Sequence, residues 1–562
     1  QIVALNPRYA EFYNVLADVG VRNRLYRESV EFATQAVEID PKSWRGWGLR
    51  GLNELRVGEI ETGRLHLEKA FAGDPYNVWI KNTLDLVDTY VEYRPRSSHR
   101  FEIVAHAEEA DLLSPYALDL LEEAYDELSA RYGVTPAVPI RIEFYASHAD
   151  FSVRTIGLAG MGALGVCFGK VIAQDSPRAR PRGSFNWAST LWHELAHTFT
   201  LAASEHRVPR WLTEGLSVLE ERRARSGWGD DLNLSFLVAW RDGELLPAAD
   251  LNNGFVRPTS PAQVGLSYYQ ASLVAELIER DWGLDAILAM LHGYRDHLST
   301  REIFERILEV EPEAFDVRFE AFLQEHFGGP LAAIADIDPK GPEGPQPGAE
   351  PRLETVPPEE DLEKRAEENP GSFSAQLAWA HALAGQERFD EAVPYFEKAR
   401  SLFPQYVGPD SAYRALARIF ADRGSGAAAA EQLRAIAAIN ETDYDVRIEL
   451  AELEQELGDP AASLDVLEEL PWIHPYDPSL HGRMAELYAE VGDLEGVVRS
   501  RTALVALRPT DMARAHYDLA SALHAAGDSL AAKRSVLRSL EVAPAFDEAQ
   551  RLLLRLHEGG DS

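Results

Sequence analysis

A 34-residue spacing of Pro and Gly constrains this chain more than any other feature. At the start, Asn6-Pro7, Asp40-Pro41 and Asp74-Pro75 recur every 34 residues, each followed by amphipathic helical sequence. The spacing returns near the other end. Pro370 and Pro404 are 34 apart, as are Pro475 and Pro509, and Pro544 follows 35 later. Gly424, Gly458, Gly492 and Gly527 step by 34, 34 and 35, so a second punctuation mark keeps the same register. Glu441 stands where the next Pro would fall, three residues late, which predicts a short insertion near Val407 to Ser411. A unit of this length is a pair of helices too small to bury its own apolar face, so successive pairs must stack into a solenoid.

The period resembles that of tetratricopeptide repeats, which implies paired helices whose concave face holds a peptide or protein partner. The repeats are expected over 1–95 and again over 359–562. Between them the pattern changes. His99 to His106 and Val138 to Tyr145 are β-branched and aromatic runs that read as strands, separated by a helical stretch from Asp111 to Tyr132. With Ala163 to Gln174 they predict a small mixed sheet within a domain spanning 96–327. Helical patterns then run to Phe327, and a Pro- and Gly-rich segment, Gly328 to Pro358, reads as a linker or surface-wrapping arm. The opening QIVALNP resembles the tail of a repeat's second helix, so residue 1 is not expected to be the natural start. The compartment stays open between bacterial cytoplasm and cell envelope.

Inside the middle domain stands His193-Glu194-Leu195-Ala196-His197. No Pro or Gly interrupts Ala188 to Ala203, so the segment should be one helix with both histidines on one face, able to share an ion. Zinc takes His nitrogens at about 2.0–2.1 Å, and a catalytic site keeps three protein ligands and an open position. Glu194 lies one residue round the helix from His193, placed to act as general base toward a water whose pKa the metal lowers to about 7. Pro209 to Arg223 reads as a second helix folding back antiparallel and offering Glu214 as third ligand. Gly215 is expected to let these two helices approach closely.

HELAH, the stretch Pro209 to Ser217 (PRWLTEGLS) and Ser267 to Ser272 (SYYQAS) together resemble the gluzincin metallopeptidases, and more narrowly the peptidase MA-like domains related to the aminopeptidase N type. The resemblance implies one zinc ion per chain held by His193, His197 and Glu214, with Glu194 as base and Tyr268 as hydrogen-bond donor to the tetrahedral intermediate. Tyr269 is the alternative donor. Gln270 stands where the aminopeptidases carry Lys. Their Gly-x-Met-Glu-Asn sequence, whose Glu grips a free substrate N-terminus, is absent, so endopeptidase cleavage of a peptide or protein is expected. In this family an edge strand binds extended substrate, and Ala163 to Gln174 takes that place. Gly160, Gly162 and Gly165 spell GxGxxG, but β-rich sequence follows where a dinucleotide site needs a helix, so the glycines read as a loop entering the edge strand. The fold class expected is mainly α: an α-solenoid of tetratricopeptide repeats on both sides of a thermolysin-like α+β zinc peptidase domain with a small mixed sheet.

A formal net charge of -36 opposes nucleic acid phosphates and disfavours anionic membranes. Arg178, Arg180, Arg182, Arg207 and Arg210 cluster near the motif, either to meet acidic substrate groups or as a solvated loop. The single cysteine, Cys167, excludes an internal disulfide and reads as a buried small hydrophobe. No apolar run reaches the roughly 20 residues that span a bilayer. A rival from another class is a non-catalytic repeat scaffold or adaptor carrying a retired peptidase-like domain; the intact Glu194 speaks against it.

Overall fold

The computed structural model describes residues 6–337 and 359–558. The chain divides into two compact units, one formed by Gln1–Arg207 with Glu454–Ser562 and the other by Val208–Leu453.

In the first unit, helices Ala10–Arg22, Tyr26–Ile39, Trp44–Arg56, Ile60–Gly73 and Val78–Asp88 pack as successive antiparallel neighbours. They lead into a five-stranded sheet of order β1-β2-β3-β5-β4. The strands are β1 (Tyr93–Ser97), β2 (Phe101–His106), β3 (Ile140–Tyr145), β4 (Gly165–Cys167) and β5 (Val171–Asp175). β2, β3 and β5 run parallel, while the two edges, β1 and β4, are antiparallel to their neighbours. β1 had no sequence signal, because YRPRS alternates poorly and contains a proline; as an edge strand it tolerates the missing donor. The helix Ala110–Tyr132 packs on the sheet and on the motif helix Trp187–Ala203.

A buried charge network joins these first helices to the sheet. Glu143 on β3 accepts from Arg141 Nε at 2.8 Å, Arg154 Nε at 2.7 Å and the Tyr145 hydroxyl at 2.9 Å. Arg154 also donates to the Leu55 carbonyl at 2.8 Å, and Arg56 returns a bond to the Thr155 carbonyl at 3.1 Å. Burial alone would raise the Glu143 pKa, yet the two guanidiniums hold it below the ordinary carboxylate value.

The C-terminal helices of the same unit, Pro460–Leu467, Pro478–Val491, Leu494–Ala506, Met512–Ala525, Ser529–Val542 and Asp547–Glu558, form helix pairs. Gly458, Gly492 and Gly527 at their turns have φ of +82°, +82° and +87°, the left-handed conformation that glycine adopts at little cost. Here the chain returns to the sheet domain. The indole N–H of Trp187 donates to the Pro471 carbonyl at 2.8 Å, and Trp472 packs against both Trp187 and Tyr116. Tyr476 donates its hydroxyl to Glu109 at 2.5 Å. These aromatic contacts explain why residues after 454 belong with the sheet.

Burial raises the Glu109 pKa despite the bonds from Tyr476 and Ser176. A raised folded pKa makes its stabilising contribution complete below the unfolded value and lost as pH rises through the folded one. Glu109→Gln is therefore expected to match the wild type in thermal stability at acid pH and exceed it at neutral pH, measured by melting curves across pH 4–8.

In the second unit, the helices Arg210–Ala224, Leu234–Arg241, Pro261–Trp282, Leu284–Arg295, Thr300–Arg306 and Pro312–Ala333 precede the repeat helices from Glu359 onward. The last of the six corrects the linker's start at Gly328, since the helix continues through Gly328, Gly329 and Pro330. Tertiary burial overrides local propensity there: Ala333 and Ile334 are buried, and Arg241 donates to the carbonyls of Ile334 and Ile337. Residues 338–358, the remainder of that segment, lie outside the described residues. The loop from Phe403 to Ser411 is the place of the expected insertion, and Gly424 turns with φ +73°.

Candidate metal centre

The motif helix Trp187–Ala203 begins at Asn186, whose side chain accepts from the backbone N–H of Ala188 and Ser189 at 3.0 and 3.1 Å. Its apolar residues are buried round nearly the whole circumference, so the helix is held as an interior rod. His193 and His197, one turn apart, bring their ring centroids to 4.8 Å. Four residues of chain separate the capping turn after Ala203 from Pro209, where the next helix, Arg210–Ala224, starts with Glu214 in its second turn.

Ligand atoms of His193, His197 and Glu214 all lie within 4.8 Å of one another, and no other group of three or more His, Cys, Asp or Glu among the described residues meets that test. Two imidazoles and one carboxylate are the donor set of an open catalytic zinc site. Glu214 also accepts from Arg210 at 2.9 Å, an i,i+4 ion pair with an exposed guanidinium. The Arg-x-x-x-Glu spacing is the sequence signal for this partner, which metal-motif reasoning alone misses.

Glu194, 6% exposed, lies on the β4 side of its helix. A Cβ at Gly165, the first residue of β4, would stand 2.7 Å from both Cγ and Oε1 of Glu194, so glycine is what lets the edge strand run against this carboxylate. The expected strand at Ala163 to Gln174 is two strands, β4 and β5, turning at Gly169 with φ +103°, and only β4 is the edge. Gly160 and Gly162 form the loop before β4, where His148 Nε2 meets the Met161 carbonyl at 2.6 Å. A helix precedes that loop and a strand follows, the reverse of a dinucleotide fingerprint.

Gly215 marks a close approach of two helices within the second unit. Its closest neighbour is Ala271 on the helix Pro261–Trp282, where a Cβ would fall 2.5 Å from the Ala271 carbonyl oxygen. The glycine thus seats the Glu214 helix on the tyrosine-bearing helix. On that partner, Tyr269 is 3% exposed, packs edge-on against Phe236 at 4.9 Å and lies under Arg222. Burial, reinforced by Asp231, pushes its hydroxyl pKa well up. Tyr268, half-buried, packs against Phe255 at 5.1 Å. Gln270, in the place of the aminopeptidase Lys, uses its amide on the backbone N–H and C=O of Leu246 at 3.2 and 2.6 Å.

The arginine cluster is largely engaged internally: Arg178 with Glu108, Arg180 with Asp175, Arg207 with Glu205 and Arg210 with Glu214. Cys167 is buried, its thiol 3.3 Å from the Thr198 hydroxyl and pushed up to about 12 by burial. No described helix is long and apolar enough to cross a membrane.

No curated relative matches the chain. Among solved structures, the chain is similar to YrrB, a TPR protein with an unusual peptide-binding site, at 16% identity over 34% of this chain and 97% of that one, with a TM-score of 0.24. It is similar to TTC0263, a TPR protein of Thermus thermophilus, at 23% identity over 33% of this chain and 98% of that one, TM-score 0.17, and to yeast Tom70 at 13% over 98% and 96%, TM-score 0.19. At TM-scores this low none of them bears on the arrangement of the chain. The family model for the tetratricopeptide repeat matches residues 377–444. Over those residues, the period first read from Pro and Gly spacing is that of tetratricopeptide repeats.

Proposed function

We propose that the chain is a repeat scaffold with a zinc-dependent peptidase centre, cutting peptide bonds within a peptide or protein that the repeats recruit. The convergence of His193, His197 and Glu214 carries this reading, with Glu194 beside the edge strand as its support. A zinc ion held by these three side chains would supply Lewis-acid polarisation and a water acidified to near neutrality. Glu194 takes the water proton and passes it to the leaving amine. β4 offers its free edge to an extended substrate, whose backbone then runs past the Glu194 carboxylate. Tyr268 donates to the developing oxyanion, a role for which its neighbour Tyr269 is too deeply committed to packing.

The decisive experiment is a peptide-library digest by the purified chain before and after chelation, with metal content measured in parallel. Zinc near one per chain and chelator-sensitive, zinc-restored cleavage is the expected result; bound zinc without cleavage of any peptide would leave a binding protein. Tyr268→Phe is expected to lower kcat by about 2.7–4 kcal/mol of barrier, the usual effect of one oxyanion donor, with zinc retained. An unchanged rate would remove the residue from the mechanism.

A second reading, a scaffold without catalysis, is favoured by the family match, which falls wholly within 377–444. Partner binding through the repeats is common to both readings.

A further inference from the structure

Behind the motif helix lies a second cavity, of about 200 Å³, that the peptidase reading does not use. Tyr26, Val57 and Phe168 give it an apolar floor, and Thr198, next in sequence to His197, forms part of its wall. The rim is basic. Arg24, Arg27 and Lys170 stand round the mouth against a single acid, Glu28. In a chain of net charge -36 such a local excess of cations is unusual, and the side chains of Arg27 and Lys170 are exposed with no carboxylate partner among the described residues. His206 lines the same cavity in a left-handed conformation, φ +62°, with its Nδ1 buried and lacking a hydrogen-bond partner.

An apolar floor under a cationic mouth selects a ligand with an aliphatic body and one anionic head. The volume sets its size: ligand pockets run from about 300 to 1,000 Å³, so this one admits something on the scale of a single large side chain. We propose that the cavity formed by the Tyr26 turn, the β4–β5 turn and the back of the motif helix binds a short aliphatic carboxylate. The carboxylate lies between Arg27 and Lys170, and the alkyl group rests on Tyr26, Val57 and Phe168. Two sources share that chemistry, a free short-chain acid and the apolar C-terminal residue of a peptide.

The test is calorimetric titration of the full chain with hexanoate and N-acetyl-leucine, and with their uncharged counterparts hexanol and N-acetyl-leucinamide. Both acids are expected to bind, with Kd on the order of 1 mM or tighter, and the uncharged analogues at least about tenfold more weakly. Tighter binding of hexanoate assigns the free acid, and tighter binding of N-acetyl-leucine the peptide terminus. The double variant Arg27→Ala/Lys170→Ala, confined to exposed side chains, should weaken both acids at least about tenfold at an unchanged melting temperature. Ala137→Phe, at the exposed part of the lining, should block them independently. Absence of binding by both acids, equal binding of the uncharged analogues, or full affinity in both variants would overturn the proposal. None of these readouts depends on peptide cleavage.

Discussion

Glu194→Gln is expected to reduce peptide cleavage by about 10³-fold while leaving zinc content unchanged. The amide keeps the shape of the carboxylate, so its packing against Gly165 survives, but it cannot accept the water proton. General base catalysis contributes on the order of 10²–10⁴ in rate, and the one carboxylate of the ligand group, Glu214, is committed to the metal in this reading. Metal analysis alongside kcat and KM separates the roles: a loss confined to kcat supports the base, whereas loss of zinc would make Glu194 a ligand or a support for one. Wild-type turnover in the variant would sink the assignment altogether.

Arg154→Met should cost about 3–5 kcal/mol of stability, the effect of breaking a buried ion pair from one side. Arg154 and Glu143 side chains are 1% and 2% exposed, so the variant leaves the carboxylate facing Arg141 and Tyr145 alone in a site with little water. It also removes the bond to the Leu55 carbonyl that ties the first helices to the sheet. The double variant Arg154→Met/Glu143→Gln should recover part of the loss, because the buried carboxylate, left with Arg141 as its one guanidinium partner, is gone. Chemical denaturation of the three proteins measures both terms. A cost below about 1 kcal/mol for Arg154→Met would mean that water reaches the pair. Because Glu143 is held below the ordinary carboxylate pKa, its contribution is present at neutral pH and disappears as pH falls through that depressed value.

The parts legible in the sequence are those whose signal is local. The 34- or 35-residue spacing of Gly424, Gly458, Gly492 and Gly527 marks helix turns that a left-handed residue closes, and the HExxH interval fixes two rings on one helical face. The strands at Phe101–His106 and Ile140–Tyr145 carry β-branched residues in runs long enough to read. What escaped depends on distance along the chain. Arg154 meets Leu55 and Gly215 meets Ala271 across intervals that no periodicity encodes, and the edge position of β1 follows from what its neighbours leave unpaired. The helix through Gly328 and Pro330 escaped for the opposite reason: a strong local signal gave way to burial of Ala333 and Ile334. Tyr268 and Tyr269 are adjacent and alike in sequence, and only the packing of Tyr269 on Phe236 separates them.

The bond from Trp187 to Pro471 spans 284 residues. A ribosome adding about 5–20 residues per second takes on the order of tens of seconds to cover that interval, during which the first turn of the motif helix is without the prolyl carbonyl and the Trp472 ring that finish it. The enclosure of this turn thus waits for Pro471 and Trp472, and a chain released before them would carry HELAH without it.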